Sequence, residues 1–131
     1  MTVPFALNPH FTEAWDSKGL ALEALGRPEE ALACFDRALA LDPRYALAWN
    51  NKGAVLEVLG RPEEALICFD CALALNPRHT LAWSNKGVVL FNKFRRYREA
   101  LACFEEAEKL GYLQAAQAIA QCRRILQQVV G

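Results

Sequence analysis

The sequence predicts an all-α fold, a solenoid built from helix-turn-helix repeats. Three observations predict it. First, Trp15, Trp49 and Trp83 stand 34 residues apart, and most of their neighbours recur at the same spacing. Second, each copy holds two segments with apolar residues at helical spacing, and a turn separates them. Third, 53% of the 131 residues are hydrophobic, which is enough to form the core of one domain.

The repeats occupy residues 12–45, 46–79 and 80–114. The first two copies are identical at 23 of 34 aligned positions. The third copy aligns with them after one inserted residue in the segment 92–95, which predicts a longer turn between its two helices.

Each copy contains start and stop signals for its two helices. In the first copy, Gly26 ends the first helix. Pro28 fits the first turn of the second helix because its missing N–H needs no partner there. Glu29 favours the positive end of that helix dipole, and Pro43 follows the helix end.

Glycine, tryptophan and phenylalanine are predicted to form the core. Gly19, Gly53 and Gly87 have no side chain, so we expect helix backbones to approach closely there while Trp and Phe fill the remaining volume. A core tryptophan predicts that Trp49→Ala destabilises the protein by about 3 to 5 kcal/mol.

Two segments flank the repeats. Residues 1–11 end in a stretch similar to the last residues of the first two copies, which predicts a remnant of a preceding repeat. Residues 112–131 carry apolar residues at helical spacing and predict a capping helix over the last repeat. The apolar stripe is wide for a cap, and no cap is evident at the amino end. Homodimerisation through the ends therefore stays an alternative.

Charge and hydropathy exclude several classes of partner. Fifteen basic residues balance fifteen acidic ones, so no net charge attracts nucleic acid or an anionic membrane. Residues 1–79 nevertheless carry a net charge of −4, and residues 80–131 carry +4. No export signal or membrane-spanning apolar run is evident, which predicts a cytoplasmic protein.

No catalytic, cofactor or metal site is predicted, because the sequence has no phosphate-binding loop and no hydrolase or metalloprotease motif. Cys68 and Cys71 have CxxC spacing but lie in the middle of a predicted helix, where zinc and redox pairs are uncommon. His10 and His79 fall in inter-repeat segments without a ligand set, and we expect both to face solvent.

One short basic segment has the composition of a nucleic-acid contact. We name residues 93–98 the basic turn. It has no counterpart in the other repeats, so nucleic acid is not predicted as a partner. It contains four cations and two aromatic residues, namely Lys93, Phe94, Arg95, Arg96, Tyr97 and Arg98.

With its Trp, Gly, Ala, aromatic and Pro positions over 34 residues, the chain resembles the tetratricopeptide repeat family. The resemblance implies a right-handed superhelix in which the first helices of successive repeats line a concave groove. It also implies a protein-protein interaction module, an adaptor or scaffold that binds a peptide or helix of a partner in this groove, and no enzyme.

The resemblance also assigns groove positions. Asn51 and Asn85 match the family's groove asparagine, whose amide can both donate to and accept from a ligand main chain. The full predicted groove comprises Glu13, Asp16, Ser17, Leu20, Glu23, Leu47, Asn50, Asn51, Ala54, Glu57, Leu81, Ser84, Asn85, Val88 and Phe91.

The composition of this groove predicts the chemistry of its ligand. It is acidic toward the first copy, polar at its centre and apolar toward the third copy. A segment with an apolar face and some basic residues would suit it. The family's clamp for the acidic carboxyl tail of chaperones needs lysine and arginine. The matching positions hold Asp16, Leu20, Leu81 and Asn85, and only Asn51 agrees with the clamp, so that ligand is disfavoured.

Overall fold

The structure is a computed structural model that describes residues 9–130, with side chains for residues 10–128. This part of the chain contains α-helices and no β-strand, so the predicted all-α class is confirmed. The chain divides into a first unit, Met1–Pro77, and a second unit, Arg78–Gly131. The helices are α1 (Pro9–Ala24), α2 (Pro28–Leu41), α3 (Ala46–Val58), α4 (Pro62–Leu75), α5 (Thr80–Asn92), α6 (Tyr97–Lys109) and α7 (Ala115–Val130).

Neighbouring helices pack in pairs, as the repeat predicts. In the first unit α1 packs on α2 and α3 packs on α4, while α2 also contacts α3. In the second unit α5 packs on α6, and α6 packs on α7. Among the described residues, no helix is long and apolar enough to cross a membrane.

The turns between the two helices of each repeat share one backbone conformation. Gly26 and Gly60 both adopt a φ of 75°, a left-handed conformation that glycine tolerates best. Arg95 takes this place in the third repeat with a φ of 53°. The next residue, Arg96, donates its backbone N–H to the carbonyl of Leu90 at 3.0 Å. The inserted residue therefore lengthens the turn without preventing its closure.

Phenylalanine, not tryptophan, occupies the centre of each repeat. Phe35 and Phe69 are fully buried. A Cβ atom built on Gly53 would lie 2.5 Å from Cε1 of Phe69, far inside contact distance. The expectation of close backbone approach at the glycines therefore needs correction, because each glycine makes room for a ring of the following helix.

The tryptophans are only half-buried, so the prediction that they form the core was wrong. Trp49 packs at the edge of a buried cluster, and its Nε1 donates to the carbonyl of Pro43 at 2.8 Å. The ammonium of Lys52 lies 5.6 Å from the ring centre. An indole has an N–H that needs a partner and a face that attracts cations, which favours a position at the boundary of the core.

One histidine also departs from the prediction. His10 is exposed as expected, but His79 is buried, with 8% of its surface accessible. Its Nε2 atom is buried without a hydrogen-bond partner, and burial lowers the pKa of the imidazole. His79 occupies the position that Tyr45 occupies in the preceding repeat. A position that holds an aromatic ring in both repeats explains the burial of His79 better than a solvent-facing loop does.

The flanking segments form helix with shifted boundaries. Helix α1 begins at Pro9, so residues 9–11 are helical although the similar residues 43–45 form a turn. Leu7 and Asn8, which carry the rest of the similarity to a repeat end, lie outside the described residues. Helix α7 begins three residues later than predicted, and Gly111 with a φ of 105° precedes it. It buries Ala115, Ile119 and Cys122.

Candidate partner-binding site

The predicted groove residues all lie on the first helix of a repeat. Ten lie on α1 and α3 in the first unit, and five lie on α5 in the second unit. Asp16, Asn50 and Ser84 are buried. The other twelve are half-buried or exposed and can contact a ligand directly.

In the first unit, the structure brings two predicted residues into contact. Helix α1 touches α3, and Nδ2 of Asn51 donates to Oδ1 of Asp16 at 3.0 Å. This bond joins the first helices of the first two repeats. We name the surface around it, formed by α1 and α3, the α1/α3 surface.

Asp16 is a buried carboxylate without a cation. Its exposed fraction is only 5%, and no Lys or Arg among the described residues forms an ion pair with it. Burial raises the pKa of Asp16, while the hydrogen bond from Asn51 partly lowers it. The carboxylate has therefore lost much of its hydration and gained one neutral donor in exchange.

Other acidic groups reinforce this negative potential. Burial raises the pKa of Glu23, which lies about two helical turns further along α1. The pKa of Tyr45 is raised first by burial and then by the negative charges of Asp16, Glu13 and Asp42. A cation brought to this surface would be attracted by several carboxylates.

Apolar side chains accompany the acidic ones. Leu20 on α1 is 45% exposed and Leu47 on α3 is 52% exposed. Ala54 is half-buried. The α1/α3 surface thus combines a negative centre with apolar side chains.

The second unit has its own concave feature. Val88 and Phe91, two predicted groove residues on α5, line a cavity of about 210 Å³ together with Phe104 of α6. Ala118 and Gln121 of α7 also line it, and the sequence analysis did not assign them to a binding surface. Apolar spacing predicts that residues 112–131 form a helix, but it does not report which neighbouring helix a polar residue such as Gln121 faces.

The cysteines and histidines do not form a metal site in the described part of the chain, where no group of three or more potential ligands comes together. Cys68 lies in the middle of α4, and burial raises the pKa of its thiol to about 11. A thiol with such a pKa is protonated near neutral pH, which makes it a poor nucleophile and a poor metal ligand.

Comparison with known proteins gives the family. A family model for the tetratricopeptide repeat matches residues 17–70. Residues 17–70 therefore belong to the tetratricopeptide repeat family. A stretch of 34 residues is 59% identical to an uncharacterised protein of Methanocaldococcus jannaschii. The match covers 26% of this chain and 40% of that relative, well under two thirds of the relative's length.

Solved tetratricopeptide domains have the same fold. The first such domain of Spaghetti (RPAP3), bound to the HSP90 peptide SRMEEVD, superposes with a TM-score of 0.88 at 21% identity over 95% of this chain and 99% of that one. The first domain of human RPAP3 gives 0.85 at 23% identity, covering 92% and 96%. The Sgt2 domain from Aspergillus fumigatus gives 0.86 at 20% identity, covering 98% and 87%. At such identities the likeness establishes the solenoid fold.

Proposed function

We propose that this chain is a protein-protein interaction module, an adaptor without enzymatic activity, which binds a segment of a partner on its α1/α3 surface. The observation that carries the proposal is the Asp16 carboxylate, buried beside Asn51 and not paired with a cation. The α5 residues from Leu81 to Phe91 lie in the second unit and belong to the groove that the family resemblance predicts.

The unpaired carboxylate defines the first feature of the partner. Burying a charge without an opposite charge is unfavourable, so Asp16 carries a cost that ordinary packing does not require. Strongly desolvated charges are common at functional sites. A lysine or arginine of the partner would supply the missing cation and displace water from a carboxylate that is already partly dehydrated.

The neighbouring amide defines the second feature. Asn51 uses one N–H for Asp16 and retains a second N–H and a carbonyl oxygen. One amide group can therefore donate to and accept from the main chain of an extended peptide. Leu20 on α1 and Leu47 on α3 are exposed and offer apolar contact, which suits a segment with alternating or amphipathic character.

The same charges argue against an acidic ligand. The Spaghetti domain was solved with the HSP90 peptide SRMEEVD, which contains two glutamates and an aspartate. On the α1/α3 surface of this chain Glu13, Asp16 and Glu23 would repel such a peptide. A basic, partly apolar segment is the ligand that the described residues favour.

Selection of short random peptides displayed on phage tests the proposal. We expect selected sequences to combine Lys or Arg with apolar residues and to lose binding to the Asp16→Asn and Asn51→Ala variants. Glu63→Gln is the matched control, because it removes an exposed carboxylate on α4, which is not part of the α1/α3 surface. Recovery of acidic peptides, or of peptides that bind all variants equally, would contradict the proposal.

Self-association through the ends is the alternative function. Phe11 on α1 is 40% exposed and Leu113 before α7 is 75% exposed, whereas α7 buries much of its own apolar stripe. Light scattering over a range of concentrations separates the two functions. A stable dimer that Phe11→Ser or Leu113→Ser dissociates would favour the alternative, and a monomer that binds selected peptides would favour the adaptor.

A further inference from the structure

The basic turn differs from the two corresponding turns in its charge pairing. In the first repeat, Arg27 holds Glu30 through two contacts of 2.8 and 2.6 Å. Arg61 holds Glu64 in the same way. Arg96 and Glu99 stand at the equivalent positions of the third repeat but form no ion pair.

Its other cations are also without carboxylate partners. Lys93, Arg95 and Arg98 are exposed, and none of them forms an ion pair with a described residue. Further along the same unit, Glu105 pairs with Arg123 and Glu106 pairs with Lys109. Glu105 and Glu106 of α6 are therefore engaged with cations outside the basic turn.

The backbone conformation of the basic turn is a second, independent indication of a functional role. The first two turns place glycine at the left-handed position, and the third places Arg95 there with a φ of 53°. A left-handed conformation strains every residue with a Cβ. Glycine would relieve this strain, so the arginine side chain at this position has a cost in stability, and such costs are typical of functional positions.

Three cations of the basic turn line one hollow on the protein surface. Arg95, Arg96 and Arg98 line a hollow of about 280 Å³. The hollow is completed by Tyr97, Glu99 and, from α7, Leu126. A planar guanidinium can bind a carboxylate through two parallel hydrogen bonds, and three such groups at one hollow form an anion-binding surface.

The aromatic residues of the turn are engaged within the protein. The guanidinium of Arg96 lies 5.4 Å from the ring centre of Phe94. Tyr97 packs edge-on against Phe91, with ring centres 5.1 Å apart. Binding of single-stranded nucleic acid depends on stacking of bases on aromatic rings. With both rings already in contact, the turn favours recognition of anionic groups over recognition of bases.

We propose that the basic turn is a second binding site, which takes the side-chain carboxylates of an acidic protein segment. The arginines at 95 and 98 bind the carboxylates, and Leu126 contacts the apolar part of the segment. This site is separate from the α1/α3 surface and has the opposite charge. The module would thus hold two segments of opposite charge, one on each unit.

Fluorescence anisotropy with a labelled oligoglutamate peptide tests the second site. The informative variant is Arg95→Gly with Arg98→Gln, because glycine suits the backbone conformation and protects the fold. We expect the Kd of the variant to rise about tenfold, as for the loss of charged hydrogen bonds at an exposed surface. The control, Arg44→Gln with Lys109→Gln, removes the same charge elsewhere and should change the Kd by less than about twofold.

Further measurements test where the peptide binds and whether the two sites act separately. Amide chemical shifts on titration with the peptide should change most at residues 93–99. Changes elsewhere, equal weakening in the control, absence of binding, or tighter binding of a labelled oligouridylate would each overturn the proposal. Asp16→Asn should leave oligoglutamate binding intact, and the turn variant should still bind the basic peptides selected on the α1/α3 surface. Failure of one site is therefore distinguishable from failure of the other.

Discussion

The ring of Phe69 lies so close to Gly53 that a Cβ atom on the glycine would be 2.5 Å from Cε1 of the ring. The same relationship joins Gly19 to Phe35 at 2.5 Å and Gly87 to Phe104 at 2.8 Å. In each repeat, therefore, a glycine of the first helix receives a phenylalanine of the second. This contact sets the distance between the two helices of each repeat.

Adding a methyl group at this contact should destabilise the first unit. We expect Gly53→Ala to lower the free energy of unfolding by about 1 to 3 kcal/mol, the usual range for overpacking. Urea denaturation measures this change. In the Phe69→Leu background the added methyl has more room, so the same substitution should cost clearly less. An equal cost in both backgrounds would contradict the contact.

A half-buried tryptophan should matter less than the buried phenylalanine. Trp49→Phe removes the hydrogen bond to Pro43 and should cost about 1 kcal/mol. Phe69→Ala empties a fully buried site and should cost about 3 to 5 kcal/mol. Thermal or urea unfolding of both variants gives the order. A larger loss for the tryptophan variant would restore the interpretation that the sequence suggested.

The sequence predicted the repeat, the helix boundaries within it and the turn glycines because these depend on local signals. Pro28 and Gly26 act within one turn of the chain, and the 34-residue period makes each signal visible twice. Burial of Trp49 and His79 was predicted wrongly for a different reason. Both depend on which side chains surround a ring, and apolar spacing does not report an indole N–H that needs a partner.

The candidate sites were likewise predictable from the sequence only in part. Family resemblance supplied Asp16 and Asn51 as positions on neighbouring helices. It did not reveal their hydrogen bond or the loss of hydration at Asp16, which require the distance between α1 and α3. The basic turn was visible as composition. Its unpaired charges became evident only when Arg96 was compared with Arg27 in three dimensions.

Acid should weaken the fold through His79. Burial lowers the pKa of His79 in the folded protein, so below the ordinary value of about 6.5 the unfolded chain takes up the proton more readily. The stability linked to this histidine is complete above that pH and is lost as the pH falls. The raised pKa values of Asp16 and Glu23 change the stability in the opposite direction as the pH falls. A variant at position 79 is therefore needed to isolate the contribution of His79.

His79→Tyr provides that variant, since Tyr45 occupies the equivalent position in the preceding repeat. Urea denaturation at about pH 7.5 and at about pH 5.5 should show a smaller loss of stability for the variant than for the parent chain. Identical losses would show that His79 does not contribute to the pH dependence.

Removing the buried charge should separate stability from binding. We expect Asp16→Asn to keep a hydrogen bond with Asn51 while relieving the desolvated carboxylate, and to raise the free energy of unfolding by about 0.5 to 1 kcal/mol. The same variant should bind basic peptides more weakly. Calorimetric unfolding and peptide titration measure the two effects. A variant that loses stability and keeps its affinity would identify Asp16 as a structural residue.

Amide chemical-shift mapping with a basic, partly apolar peptide obtained by selection tests binding on the α1/α3 surface most directly. We expect the largest changes on α1 and α3, around Asp16, Leu20 and Asn51, and their loss in the Asn51→Ala variant. Changes centred on α2 and α4, or changes that persist in that variant, would contradict binding on the α1/α3 surface.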